Sequence, residues 1–186
     1  MDNGASSYRR YLDGDESAFR EIVKDYFDSL LFFVNRYVNN AAVAEDIALD
    51  VFTQLVVQKH RFNFKTSFKT YLFMMGRSRA LDYIRRRDRI KIVELSEAAQ
   101  YQSDESPLEE TIFADQRKQT INDALMQLPN ELRLVLHLVY FEELSIDEAA
   151  KVLKKSRKQI YNLLYRGKTA LRTVLGEEGK QLLREV

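Results

Sequence analysis

From Asp15 to Val38 the apolar residues Phe19, Ile22, Val23, Tyr26, Phe27, Leu30, Leu31, Val34 and Val38 recur at steps of three and four. That spacing predicts one buried face of a long helix. Asn39 and Asn40 interrupt the stripe, and a second amphipathic stretch follows from Ala44 to about Gln58. There Ile47, Val51, Phe52, Leu55 and Val56 are expected inward, with Glu45, Asp46 and Asp50 on the exposed side. Between Lys59 and Lys69 the period dissolves into KHRFNFKTSFK, a short polar and aromatic loop. A third helix is expected from about Phe68 to Arg87, and three such helices make one bundle.

Residues 92–107, ending in YQSDESP, lose periodicity and gain Ser, Glu, Asp and a proline, which reads as a flexible acidic linker. The expected organisation is therefore a first domain over 1–91 and a second over 108–186. The second carries a helix to about Leu128 and restarts at Pro129, a residue suited to a helical first turn, for an apolar helix over 129–142. Two short helices follow, each opened by a capping box: Ser145 with Glu148, and Ser156 with Gln159. A cap of this kind contributes about 1 kcal/mol. The turn between them has the length found in a helix-turn-helix. Ala150 is small where the helices cross, and Ile160 can plug the space among Val152, Leu153, Leu163 and Leu164. Lys154 stands where many such turns use glycine, so a turn either tighter in helical character or slightly strained is expected.

Composition narrows the class. With 45% hydrophobic residues in 186, there is enough apolar material for a core in each domain. Two prolines, six glycines and no β-like runs favour an all-α fold of two small helical domains. The absence of cysteine excludes disulfides, thiolate metal sites and thiol redox sensing. The N-terminus lacks a signal-peptide core, and no run approaches the roughly 18 to 20 apolar residues of a membrane span, so a cytoplasmic protein without membrane insertion is expected.

The net charge of +1 hides a sorting of signs along the chain. Residues 1–58 hold ten acidic and five basic side chains, whereas 59–91 hold two and eleven. Residues 92–124 return to eight acidic against two basic, and 151–172 carry eight basic and no acidic side chain. The two basic blocks are candidates for binding a polyanion. In the second, Arg157, Lys158, Tyr161, Asn162, Tyr165, Arg166 and Lys168 face outward on the second helix of the pair, mixing phosphate anchors with base-edge readers. In the first, cations alternate with aromatics, a chemistry suited to unpaired bases. At helical spacing Phe68, Leu72, Phe73 and Tyr83 fit a core better, which leaves the loop aromatics Phe62 and Phe64 as candidates for stacking.

No pattern suggests catalysis. His60 and His137 are isolated, no glycine-rich phosphate loop is present, and the adjacent pairs Glu109–Glu110 and Glu142–Glu143 read as solvated carboxylates. The chain is expected to be no enzyme and to need neither cofactor nor metal.

Five segments in order carry a resemblance from about Tyr11 to Leu175: LDGDESAFREIVKDY (12–26), AEDIALDVF (44–52), FKTYLFMMGRSRALDYIRRR (68–87), LPNELRLVLHLVYFEELSIDEAA (128–150) and SRKQIYNLLYRGKTAL (156–171). Together they resemble the extracytoplasmic-function sigma factors, the compact class of the sigma-70 family that keeps only domains two and four. The resemblance implies a subunit that binds core RNA polymerase and directs initiation at chosen promoters. Glu45, Asp46, Asp50 and Gln54 then correspond to the surface docking on the β′ clamp helices, and the second domain to the part meeting the β flap. The loop from Arg61 to Lys69, with Arg61, Phe62, Phe64, Lys65 and Lys69, corresponds to the loop capturing a flipped base of the minus-ten element. Arg77, Arg79, Arg85 and Arg86 correspond to the helix holding the melted strand. Tyr161, Asn162, Tyr165 and Arg166 align with positions contacting the minus-thirty-five element. An anti-sigma factor is an expected partner beside promoter DNA. Departures are Tyr71, where the family usually has Trp, and Arg79 and Ala80, which replace the usual Asn and its neighbour.

A stand-alone helix-turn-helix regulator is the alternative, with a ligand-binding or dimerising first domain. It has no use for the basic and aromatic block at 59–91, because a duplex reader never handles unstacked bases. A helical adaptor that binds only protein is a third reading, opposed by the acid-free stretch 151–172.

Overall fold

The structure, a computed structural model, describes residues 3–95 and 123–182. Every regular element among the described residues is helical. The chain divides into two compact units, Met1–Leu108 and Glu109–Val186. The acidic linker expected at 92–107 falls outside the described residues from position 96 onward, as do Glu109 and Glu110 and most of the helix expected before Leu128.

The first unit holds α1 (Asn3–Leu12), α2 (Glu16–Val38), α3 (Ala41–Val57) and α4 (Phe68–Leu95). Helix α1 makes this a four-helix unit where three helices were expected. It is short and polar, and its inward residues Tyr8 and Tyr11 are too few to set up a period that stands out in the sequence. Helix α2 begins at Asp15, whose carboxylate accepts from the backbone N–H of Ser17 and Ala18. Hydrogen bonds from the Ser17 hydroxyl and then from Arg10 hold that carboxyl down at about 2. The two asparagines divide α2 from α3 by separate means. Asn39 takes the left-handed conformation that ends α2, and the Asn40 side chain accepts from the Val43 N–H to start α3.

The core of this unit is built from Ile22, Leu30, Phe33 and Val34 of α2, Val51 and Leu55 of α3, and Phe68, Leu72 and Phe73 of α4. Helices α2 and α4 approach so closely at Gly76 that a Cβ there would stand 2.7 Å from Leu30 Cδ1. Helix α4 also outruns its expected end by a full two turns, reaching Leu95. Tyr83, expected in the core, is only half-buried, and Val56, expected inward, is 39% exposed.

In the second unit, helical residues 123–126 lead to α5 (Asn130–Leu136), which passes into a π-turn over His137–Phe141. Pro129 is the N-cap, with ψ 141, one position before the expected first turn. The wider turn draws Glu142 inward, so this carboxylate, expected on the surface, is 5% exposed with its Oε1 3.3 Å from His137 Nε2. Helices α6 (Ile146–Leu153) and α7 (Arg157–Leu182), the latter broken by a kink at Gly176 with φ 61, complete the unit.

Both capping boxes form. Ser145 and Glu148 exchange hydrogen bonds at the start of α6, and the Ser156 N–H donates to Gln159 Oε1 at 2.8 Å at the start of α7 while the Gln159 N–H donates to Ser156 Oγ. Between them Lys154 adopts φ 52, ψ 47, and the Lys155 N–H reaches the Ala150 carbonyl at 3.0 Å. A lysine in that region is strained by about 1 kcal/mol or more. We therefore expect Lys154→Gly to stabilise the second unit by about 0.5 to 1 kcal/mol in denaturant unfolding, part of the relief being offset by glycine's freer unfolded chain. Ser145→Ala is expected to destabilise it by about 1 kcal/mol in the same measurement.

Candidate nucleic-acid interface

Helix α7 is held from beneath and presented from above. Ile160 is fully buried, and Leu163, Leu164 and Leu171 continue its inward stripe against a floor that includes Val152 and Leu153. Gly167 lets Leu136 of α5 come within 3.1 Å of where a Cβ would stand. The positions between these are turned outward by the 3.6-residue period. Arg157, Lys158, Tyr161, Asn162, Tyr165, Arg166 and Lys168 are all exposed, Tyr165 to 75% and Tyr161 to 54%. Two of the cations carry local contacts: Arg157 Nε lies 3.0 Å from Asp147, and Lys168 Nζ sits 4.8 Å from the centre of the Tyr140 ring. Asn162, Arg166 and the two tyrosines form an uncovered polar ridge one helix wide, the shape a major groove admits.

The loop after α3 is organised differently from expectation at one residue. Phe62 is 3% exposed, with its ring 5.0 Å from Tyr71 in a stacked arrangement and 5.5 Å from Phe68 edge-on. It anchors the loop to the core and presents no face for a base, because its apolar surface is satisfied by neighbouring rings. Phe64 is half-buried, 4.6 Å from Phe62, with a left-handed φ of 58. Arg61 and Lys65 are exposed, Arg61 donating to Gln58 at 2.7 Å. The Asn63 side chain accepts from the Lys65 N–H at 3.1 Å and tightens the loop. Lys69 is half-buried at the first turn of α4.

The arginines of α4 do not share one face. Arg77 interacts with the Tyr37 hydroxyl on α2, a group that burial pushes up to about 12 despite this cation. Arg79, two residues on and so on another side of the helix, donates to Gln54 of α3 at 3.0 Å. Arg85 pairs with Asp82 at 3.2 Å, and Arg85 and Arg86 are exposed. The Arg79–Gln54 and Arg85–Asp82 contacts are solvent-exposed and weak, so those side chains remain exchangeable, whereas Arg77 and Tyr37 meet half-buried.

On α3, Glu45, Asp46 and Asp50 are exposed as expected, and Gln54 is half-buried between Arg79 and Gln58. Beside them lies a feature that the sequence reading missed: an open groove of about 430 Å³, lined by Phe19, Val23, Phe27, Leu49, Phe52 and Val56. Leu49 is 50% exposed at its rim. The signal for it was present in the sequence, since Leu49 and Val56 lie one helical turn before and after Phe52, but a broad stripe looks like a deep core until the partner helix is known. Among the described residues no group of His, Cys, Asp or Glu is arranged to hold a metal, and no helix is long and apolar enough to cross a membrane.

Residues 22–90 match the family model for sigma-70 region 2, and residues 118–171 match that for sigma-70 region 4. The chain is 28% identical over 170 residues to the ECF RNA polymerase sigma factor SigW of Bacillus subtilis, covering 87% of this chain and 91% of that protein. It is 28% identical over 181 residues to the RNA polymerase sigma-H factor of Pseudomonas aeruginosa, covering 92% and 91%. The fold is shared with the sigma factor RpoE in its complex with the anti-sigma factor NepR from Bartonella quintana, at a TM-score of 0.63 and 18% identity, over 84% of this chain and 96% of that one. Region 2 thus spans most of the first helical unit and region 4 the helix-turn-helix of the second, and the chain belongs to the sigma-70 family, in its extracytoplasmic-function class of RNA polymerase specificity subunits.

Proposed function

We propose that this sigma factor reads its promoter through two cationic surfaces, one on each unit, and docks on core polymerase through the acidic face of α3. The observation that carries the reading is the outer ridge of α7, where seven polar and aromatic residues are exposed while Ile160 and its neighbours hold the helix rigidly from below. Arg157, Lys158 and Lys168 serve as phosphate anchors, and Tyr161, Asn162, Tyr165 and Arg166 meet base edges of a minus-thirty-five element in the major groove. The loop from Arg61 to Lys69 and the exposed arginines of α4 hold the unpaired minus-ten strand, with Phe64 as the aromatic available to it. Phe62 acts as the loop's anchor. Arg79 and Arg77 reach the strand by exchanging their present partners for phosphate.

Asp46, Asp50 and Glu45 suit a basic partner helix, and the groove next to them gives that helix an apolar seat at Leu49 and Val56. The β′ clamp helices fit this description, and the second unit meets the β flap. Each DNA surface alone binds weakly; joined in one chain, the two act by effective concentration. We further propose that the protein works in the cytoplasm, contributes no catalytic group of its own, and is restrained by an anti-sigma factor. A stand-alone duplex regulator is not favoured, because it leaves the region 2 unit without a use.

The direct test mixes the purified chain with sigma-free core polymerase and follows transcription from promoter libraries that core alone ignores. Co-elution with new start sites is the expected result, and salt-sensitive DNA binding without co-elution overturns it. Arg166→Ala is expected to weaken minus-thirty-five binding by about 1 to 3 kcal/mol and to relax base preference at one position, read by competition binding. Lys158→Ala should instead weaken all sequences alike and lower the salt slope by about one. Charge reversal by Asp46→Lys together with Asp50→Lys is expected to weaken core binding about tenfold or more at low salt, as seen by fluorescence competition, while leaving duplex binding by the second unit intact.

A further inference from the structure

We propose that α1 belongs to the promoter-reading apparatus, with Arg9 a specificity-determining residue that acts on the minus-ten strand through Phe64. The proposal rests on reading the 61–69 loop as the base-capturing element. It concerns a helix that lies ahead of the family-matched segment, which begins at residue 22.

Three side chains of α1 reach the loop or its entrance. Tyr8 is fully buried, and its hydroxyl is within hydrogen-bond distance of the carbonyls of Lys59, at 2.8 Å, and Leu55, at 3.2 Å, tying down the last turn of α3 and the start of the loop. Its ring lies 5.8 Å from Phe62, 6.5 Å from Phe64 and 5.1 Å from Phe68. Burial pushes that hydroxyl up to about 12, so it stays a donor across the physiological range. Tyr11 takes Lys59 Nζ over its ring at 4.9 Å. Arg9, exposed, has its guanidinium carbon 4.8 Å from the centre of the Phe64 ring.

The neighbouring Arg10 shows what an ordinary structural arginine does here: it is spent on Asp15 at 2.6 Å and Glu21 at 2.9 Å. Arg9 has no carboxylate partner among the described residues and lies instead on the one loop aromatic that is not sealed into the core. Phe64 holds a left-handed backbone, φ 58, which a bulky residue keeps only when its surroundings enforce it. An exposed guanidinium over an aromatic ring has a planar surface on which a base can stack and N–H donors for acceptors on bases or phosphates. The Arg9–Phe64 pair therefore sets a positive charge and an aromatic ring together beside the loop that exposes Arg61 and Lys65. Arg9 selects among bases by stacking and by donating to their acceptor edges, and it fixes the ring on which it lies.

The test uses holoenzyme reconstituted with core polymerase, a promoter library randomised across the minus-ten element, and a single-stranded oligonucleotide carrying the preferred sequence. Arg9→Ala is expected to flatten the preference at one minus-ten position and to weaken single-strand binding about tenfold, with minus-thirty-five preference and core affinity unchanged. Arg9→Lys is expected to recover much of the strand binding but not the base preference, because an ammonium has no plane to stack. Unchanged preference in both variants overturns the proposal. So does an equal loss at both promoter elements accompanied by a lowered unfolding temperature, which marks Arg9 as merely structural. If the unaltered holoenzyme shows no minus-ten preference at all, the reading of the loop itself has failed and the proposal goes with it, an outcome distinguishable from the other two.

Discussion

A helix that buries Ile47, Ala48, Val51, Phe52 and Leu55 on one side turns Glu45, Asp46 and Asp50 to the other, and what stands there then has no choice but to face a partner or water. The same constraint governs α7, where Ile160, Leu163 and Leu164 fix which side of the helix Tyr161, Asn162 and Tyr165 occupy. No disulfide is available and no metal cluster is found among the described residues, so burial of these stripes is the main thing orienting the charged surfaces. Loss of a buried leucine in either helix therefore disturbs recognition as well as stability, since the outer face turns with the inner one.

The stripes are also what made the sequence readable. The all-helical class, the break at Asn39–Asn40, both capping boxes and the outward set on α7 follow from local rules that tertiary contacts reinforce here. What escaped was non-local. Helix α1 has two inward tyrosines in a polar segment, a signal too short to register, and it forms because Tyr8 finds the carbonyls of Leu55 and Lys59 some fifty positions away. Phe62 and Phe64 are equivalent in the sequence, two aromatics in one basic loop. Only the fold separates them, by sending Phe62 beneath Tyr8 and Tyr71. Glu142 and Glu143 diverge for a similar reason, because the π-turn before them breaks the simple period on which the expectation rested.

The basic residues of the region 2 unit show how far charge counting reaches. Eleven cations against two acids in 59–91 mark the block as a candidate polyanion surface, but not how its members are arranged. Arg77 turns to Tyr37 on α2 while Arg79 turns to Gln54 on α3. Gln54 thereby stands at the seam between the acidic face and the cationic one, with its amide already occupied by an arginine of the other side. Two surfaces of opposite sign meet there at a neutral side chain.

The left-handed lysine at the elbow of the helix-turn-helix carries a meaning beyond the turn itself. Glycine is the residue that relieves such a backbone, yet position 154 is occupied by an exposed cation inside a stretch of eight basic residues without an acid. A charge there adds to the field felt by an approaching polyanion before any contact is made, and such fields govern how fast partners meet more than how tightly they hold. The elbow thus keeps a backbone strain that glycine would relieve, and with it a charge that adds to the positive field of the helix-turn-helix.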